Sequence, residues 1–215
     1  MSEKEKHLKI DLGYEVEVRD KSGKLISKQH GQSHSWLKQW LQILKGEFAT
    51  RYGTTVGNAN ISINDETGSA RTYPSQSSSQ YPTYYLNLST LGDAGDVSLG
   101  IIVGGGDAPN TLSTYALASK IGHGTASGQL LYGAESVEDV INPSGMDLTF
   151  RITRVFTNNS GASVTVKEMG ILIKKLDSGF TPRSFLIVRD VLSSPSSVPD
   201  GATMTIRYTV KITVS

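Results

Sequence analysis

Cysteine is absent from this chain of 215 residues, and several other residue types are scarce. Without thiols there is no disulfide scaffold and no thiolate metal site. Charged residues make up 19% of the chain and the formal net charge is +1. No overall basic field is therefore available to hold nucleic acid or an anionic membrane surface. No apolar run approaches the roughly 20 residues that a membrane-spanning helix needs. The opening MSEKEKHLK is charged and has no apolar core, so no secretory signal is expected and the chain reads as made in a cytoplasm.

What the sequence does carry is alternation. Met204, Ile206, Tyr208, Val210, Ile212 and Val214 occupy even positions, while Thr205, Arg207, Thr209, Lys211 and Thr213 fill the odd ones. Strand side chains point alternately to opposite faces, so this stretch predicts a half-buried β-strand. Val198-Pro199-Asp200-Gly201 before it predicts a tight turn, with Pro presetting φ and Gly accepting φ > 0. Ser184 to Leu192 predicts a second strand, apolar on both faces except at Arg189 and Asp190. The two are expected as antiparallel core strands joined by a Ser/Pro-rich connection. Leu8 to Val18 alternates as regularly as the last strand, Asp20-Lys21-Ser22-Gly23 predicts a hairpin turn, and Lys24 to His30 the return strand. Two such apolar faces are most simply buried in one core.

The one predicted helix runs from Ser35 to about Thr50, with Ser33 or Ser35 as its N-cap. Trp36, Trp40, Leu44 and Phe48 recur at spacing four, flanked by Leu37 and Leu41. Both tryptophans of the protein lie on this stripe, which predicts a cover over the sheet or a docking face. Residues 52–96 are rich in Gly, Ser, Thr, Asn and Tyr, with strand-like fragments only at Ala59 to Asn64 and Thr83 to Leu88. This stretch reads as an extended insertion or assembly arm within a single domain spanning 1–215, ordered by neighbouring subunits. Further strands are predicted at Val97 to Val103, Gln129 to Tyr132 and Met146 to Thr157, and a short helical turn at Thr111 to Ser119. Val164 and Val166 lie in one register and Met169, Ile171 and Ile173 in the other, which predicts a β-bulge near Lys167-Glu168.

Reactive constellations are not found. Gly104 to Gly106 lacks the Lys-Ser/Thr of a phosphate loop and reads as a flexible turn. His30 and His34 have helical spacing, but the predicted cap leaves His30 outside the helix, and no third ligand is near; His123 is a lone loop histidine. Glu135, Glu138 and Asp139 lack a calcium-loop pattern and read as a solvated surface. No nucleophile elbow is present. The sequence therefore predicts no catalytic residues, no cofactor and no metal.

The segments VGGGDAPNTLSTYALASKI, LTFRITRVFTNNSGASVTVKEMGILI and FLIVRDVLSSPSSVPDGATMTIRYTVKI, in this order, resemble tailed-virus (phage-like) virion structural proteins with β-sandwich domains, from tails, fibres or capsid-associated appendages. The leading YEVEVRDKSGKLISKQHGQSHSWLKQWLQIL is similar to their first segments. The resemblance covers about two thirds of the chain and omits 52–96. It implies a virion location after synthesis in a host cytoplasm, a structural self-assembling role, and partners that are copies of itself and other virion proteins. The expectation is thus an all-β antiparallel sandwich, jelly-roll-like or immunoglobulin-like, with one N-terminal amphipathic helix and a long inserted loop or hairpin region. It is expected to form a symmetric homo-oligomer that is not an enzyme and engages neither nucleic acid nor membrane. Trp36, Trp40, Tyr73, Tyr81, Tyr84 and Tyr85 are the interface candidates. One rival is a carbohydrate- or receptor-binding module whose tyrosines stack on a host-surface glycan; another is an extracellular filament subunit.

Overall fold

The structure, a computed structural model, describes residues 8–33, 36–51, 54–55, 61–73, 89–139, 147–179 and 181–214. The expectations at Ser35, Tyr81, Tyr84, Tyr85 and Thr83 to Leu88 lie outside them.

The regular alternators come together as predicted. β1 (Leu8–Arg19) and β12 (Thr203–Val214) pair antiparallel over their whole length, from Leu8 opposite Val214 to Arg19 opposite Thr203. They are the centre of a five-stranded sheet. Its other strands are β2 (Leu25–Gln32) on one side, and β9 (Asp147–Thr157) and β8 (Leu131–Asp139) on the other, in the order β2-β1-β12-β9-β8. Leu12, Val16 and Val18 of β1 and Met204, Ile206 and Tyr208 of β12 are buried, so the greasy faces share one core. The predicted turns hold: Gly23 and Gly201 adopt φ of 85° and 74°.

A second, antiparallel sheet has the order β11-β10-β7, from β7 (Gly100–Gly104), β10 (Val164–Leu176) and β11 (Pro182–Val198). Adjacent residues of a strand face opposite ways. In β11, Asp190 accepts from Tyr208 of the larger sheet, while Arg189 bonds Asn110 of the loop after β7. The smaller sheet is therefore covered on both faces, and this explains why Met169–Ile173 and Ser184–Asp190 are buried without alternation. α1 (Lys38–Ala49) packs against β11 and against β5 (Ile61–Asn64), which forms a hairpin with β6 (Ala70–Tyr73). The short pair β3 (Thr50–Arg51) and β4 (Thr54–Thr55) follows the helix.

Three sheet edges are capped by backbone bonds from irregular chain. Glu135 N–H donates to Gly92 and Gly95 N–H to Tyr132 along β8; Gly105 N–H donates to Ser119 and Ile121 N–H to Val103 along β7. Along β11, Leu37 N–H donates to Ile187 and Glu66 N–H to Ser184. Such caps remove open templates for strand pairing.

Several expectations are corrected. β11 and β12 are not paired with each other; they lie in different sheets, and the Ser/Pro-rich residues belong to β11 itself. The irregularity near Lys167-Glu168 is present, but the surplus is on the partner: Val166 faces Ser196 and Glu168 faces Val191. The helix begins at Lys38, so Ser33 does not cap it; Ser33 N–H instead donates to Leu12. Its buried positions are Gln39, Ile43 and Gly46, with Leu37 buried just before it, and Leu41 is exposed. Residues 111–119 form turns rather than helix. Within 52–96, the β5–β6 hairpin packs on its own chain: Ile63 and Tyr73 join the core, and Ser178 N–H donates to Thr72.

Candidate functional site

The larger sheet's inner face outruns its cover. In β1, Leu12 is 2% exposed and Ile10, two residues earlier on the same face, is 56% exposed. Ile10 lies opposite Ile212, and Val210 opposite Phe150. Exposed Phe150, Val137 and Leu91 extend this apolar surface. Where it meets the smaller sheet, an apolar cleft of about 380 Å³ opens, walled by Leu12, Ile152, Val210, Ile171 and Ile187. Trp36 and Trp40 form one side, their rings stacked 5.0 Å apart at 24°. They reach it because Trp36 bridges to the backbone of Val188, fixing the chain just before α1 along the β11 edge. Among the described residues, the only hydrogen-bonding side chains that line the cleft are Ser89, Thr90 and the two tryptophans, whose indole N–H groups are donors. Its lining, mostly apolar, suits an apolar partner.

Polar chemistry is concentrated elsewhere and is spent on architecture. Arg154 occupies the inward register of β9 between Ile152 and Phe156 and is fully buried. Its guanidinium donates to the carbonyls of Gly133, Leu99, Ile101, Asp93 and Asp96 at 2.7–2.9 Å, and lies 5.0 Å from the centre of the Tyr132 ring. It thereby pins 93–101 across the sheets. Beside it Glu135 accepts from Ile101 N–H at 2.7 Å, and burial pushes its carboxyl up to about 7. Expected on a solvated surface, Glu135 is 9% exposed, because a register shift between Tyr132 and Glu135 turns it inward. Glu138, in contrast, is exposed and paired with Arg151.

The glycine cluster does hold an anion, but the anion is the chain's own. Glu168 is buried and accepts from the N–H groups of Gly106, Ala118 and Ser119, with Arg189 Nη2 at 2.7 Å as its counter-ion. A Cβ on Gly104 would lie 2.5 Å from Glu168 Oε1, which is why glycine is needed there. His30 is exposed, and His123 Nδ1 accepts from Tyr132 N–H. Among the described residues no three His, Asp or Glu side chains gather as a metal site would require.

Of the interface candidates, the structure brings Trp36 and Trp40 together at the cleft. Tyr73 is 4% exposed and its ring fills the space above Gly46, so it is a core group with no free face. Tyr81, Tyr84 and Tyr85 lie outside the described residues. Sequence reasoning missed Ile10, Leu91, Val137 and Phe150. Ile10, Val137 and Phe150 lie on strands of the larger sheet beyond the cover of the smaller one, and Leu91 lies in the irregular chain before β7; alternation gives no signal of either. No protein-family model matches this chain, and no curated protein or solved structure matches it either.

Proposed function

We propose that this protein is a virion structural protein, a two-sheet sandwich of jelly-roll or immunoglobulin type that self-assembles as a symmetric homo-oligomer in a viral tail or capsid-associated structure. The observation that carries the assembly reading is the apolar overhang with the stacked Trp36–Trp40 pair. Contiguous exposed apolar surface beside tryptophan is where association energy concentrates. The virion assignment rests on the resemblance of the strand segments. A non-catalytic role is supported by the buried charges, since Arg154 and Glu168 spend their hydrogen bonds on backbone groups. Its mechanism is packing: covered faces build the subunit, and the uncovered end of the larger sheet joins it to its partners.

The test is light scattering and electron microscopy of the purified protein beside Phe150→Lys. The parent is expected to form rings, tubes or a defined oligomer, and the variant to stay monomeric with an unchanged melting temperature. A monomeric parent that binds on a glycan array would instead favour the receptor-binding reading.

A further inference from the structure

We propose that the apolar cleft receives the Leu112 loop of a second copy of this chain, so that copies join head to tail. This rests on the reading of the cleft as an assembly surface, and it names the occupant. A two-fold contact of cleft on cleft would set concave against concave and leave about 380 Å³ unfilled on each side. Apolar voids forfeit dispersion contacts and hydrophobic burial together, so the cleft needs a projecting apolar group.

The chain carries one. Leu112, at 80%, is the most exposed large hydrophobic residue among those described, and it does not line its own cleft. It is also held in place. Thr114 N–H donates to the Thr111 carbonyl, and Thr111 N–H to Thr114 Oγ1. Asn110 donates to the Arg189 carbonyl and accepts from its guanidinium, Gln39 donates to the Thr114 carbonyl, and Glu168 anchors Gly106, Ala118 and Ser119 below. A leucine presented on a fixed platform has little loop entropy left to lose on docking. Its neighbours from Asn110 to Thr114 are uncharged, so insertion strips no ion of water, and their hydroxyls meet a rim that is itself Ser89 and Thr90. Projection and cleft are different surfaces, so the contact is heterologous and yields a closed ring or an open filament.

The absence of cysteine makes the test clean. Leu112→Cys and Val137→Cys proteins are treated separately and as an equimolar mixture with a short bismaleimide, then separated on denaturing gels. A cross-linked dimer confined to the mixture is expected. A dimer in the Val137→Cys sample alone would overturn head-to-tail joining in favour of two-fold pairing while sparing the assembly reading. No cross-link from a parent that is monomeric by light scattering would overturn both. Leu112→Lys is expected to weaken self-association about tenfold or more, as losing one buried apolar anchor does, with its unfolding midpoint unchanged. Undiminished association of this variant would sink the proposal.

Discussion

The hydroxyl of Tyr208 donates to Oδ2 of Asp190 at 2.9 Å, and this hydrogen bond joins the two sheets inside the core. Burial first, and then the Asp190 carboxylate, hold the phenol well above its ordinary pKa, so it remains a donor. Tyr208→Phe withdraws that donor from a buried carboxylate. The expected loss is about 1–3 kcal/mol, read by urea unfolding, with the oligomeric state unaltered.

Arg154 supports a larger prediction. Arg154→Met leaves five carbonyls without their donor and removes the positive charge beside Glu135. Breaking such a buried ionic network costs about 3–5 kcal/mol. Arg154→Lys should recover little, because an ammonium cannot reproduce a planar fork of five donors. Full recovery by lysine would show that charge alone matters at this position.

Glu135 should make stability depend on pH in an unusual direction. Its folded-state carboxyl titrates at about 7 and its ordinary value is 4.5, so the folded protein binds this proton more tightly than the unfolded chain. The contribution is complete below about pH 4.5 and is lost as pH rises through 7, a change of about 3 kcal/mol. Asp65, Asp96 and Asp177, whose pKa values are lowered, act oppositely and only in acid. The stability difference between parent and Glu135→Gln, followed from pH 5 to 8, should therefore grow in favour of the glutamine and level off above about pH 7. A flat difference would show that the carboxylate is already accommodated.

Gly46 offers a prediction whose sign distinguishes local from tertiary control. Glycine to alanine inside a helix normally stabilises by about 1 kcal/mol. Here the new methyl would collide with Cε1 and Cδ1 of the Tyr73 ring. Gly46→Ala should therefore destabilise by about 1–3 kcal/mol through overpacking. It should also speed protease cleavage between residues 61 and 73 by loosening the hairpin from the helix.

Legibility in the sequence followed how local the cause was. Alternation from Leu8 to Val18 and from Met204 to Val214 placed two strands in one core because a half-buried sheet writes its period into the chain. The turn at Asp20 was readable because a short side chain closes it: Oδ1 accepts from Ser22 N–H, Ser22 Oγ and Lys24 N–H. Asp65 repeats the device with Thr67 and Ser69, and low-complexity surroundings hid it. β11 was placed beside the wrong neighbour because a strand buried on both faces has no period to show which sheet it joins. At the candidate site the tryptophans stood out by composition. Phe150 and Val137 did not, because their exposure depends on where another sheet stops. Arg154, lodged among Leu148, Phe150, Ile152 and Phe156 in the apolar register, was the visible signal of a buried charge that went unread.

The pairing of β1 with β12 has a consequence for how the chain is made. Its partners stand roughly two hundred positions apart, so β1 leaves the ribosome long before the strand that completes it exists. Until then only the β1–β2 hairpin can form on that side, with the row of apolar side chains from Leu12 to Val18 facing water. The centre of the five-stranded sheet therefore cannot close until β12 has been made. Until that pairing forms, the uncovered apolar row and the open edge of β1 are the features of the nascent chain that favour aggregation.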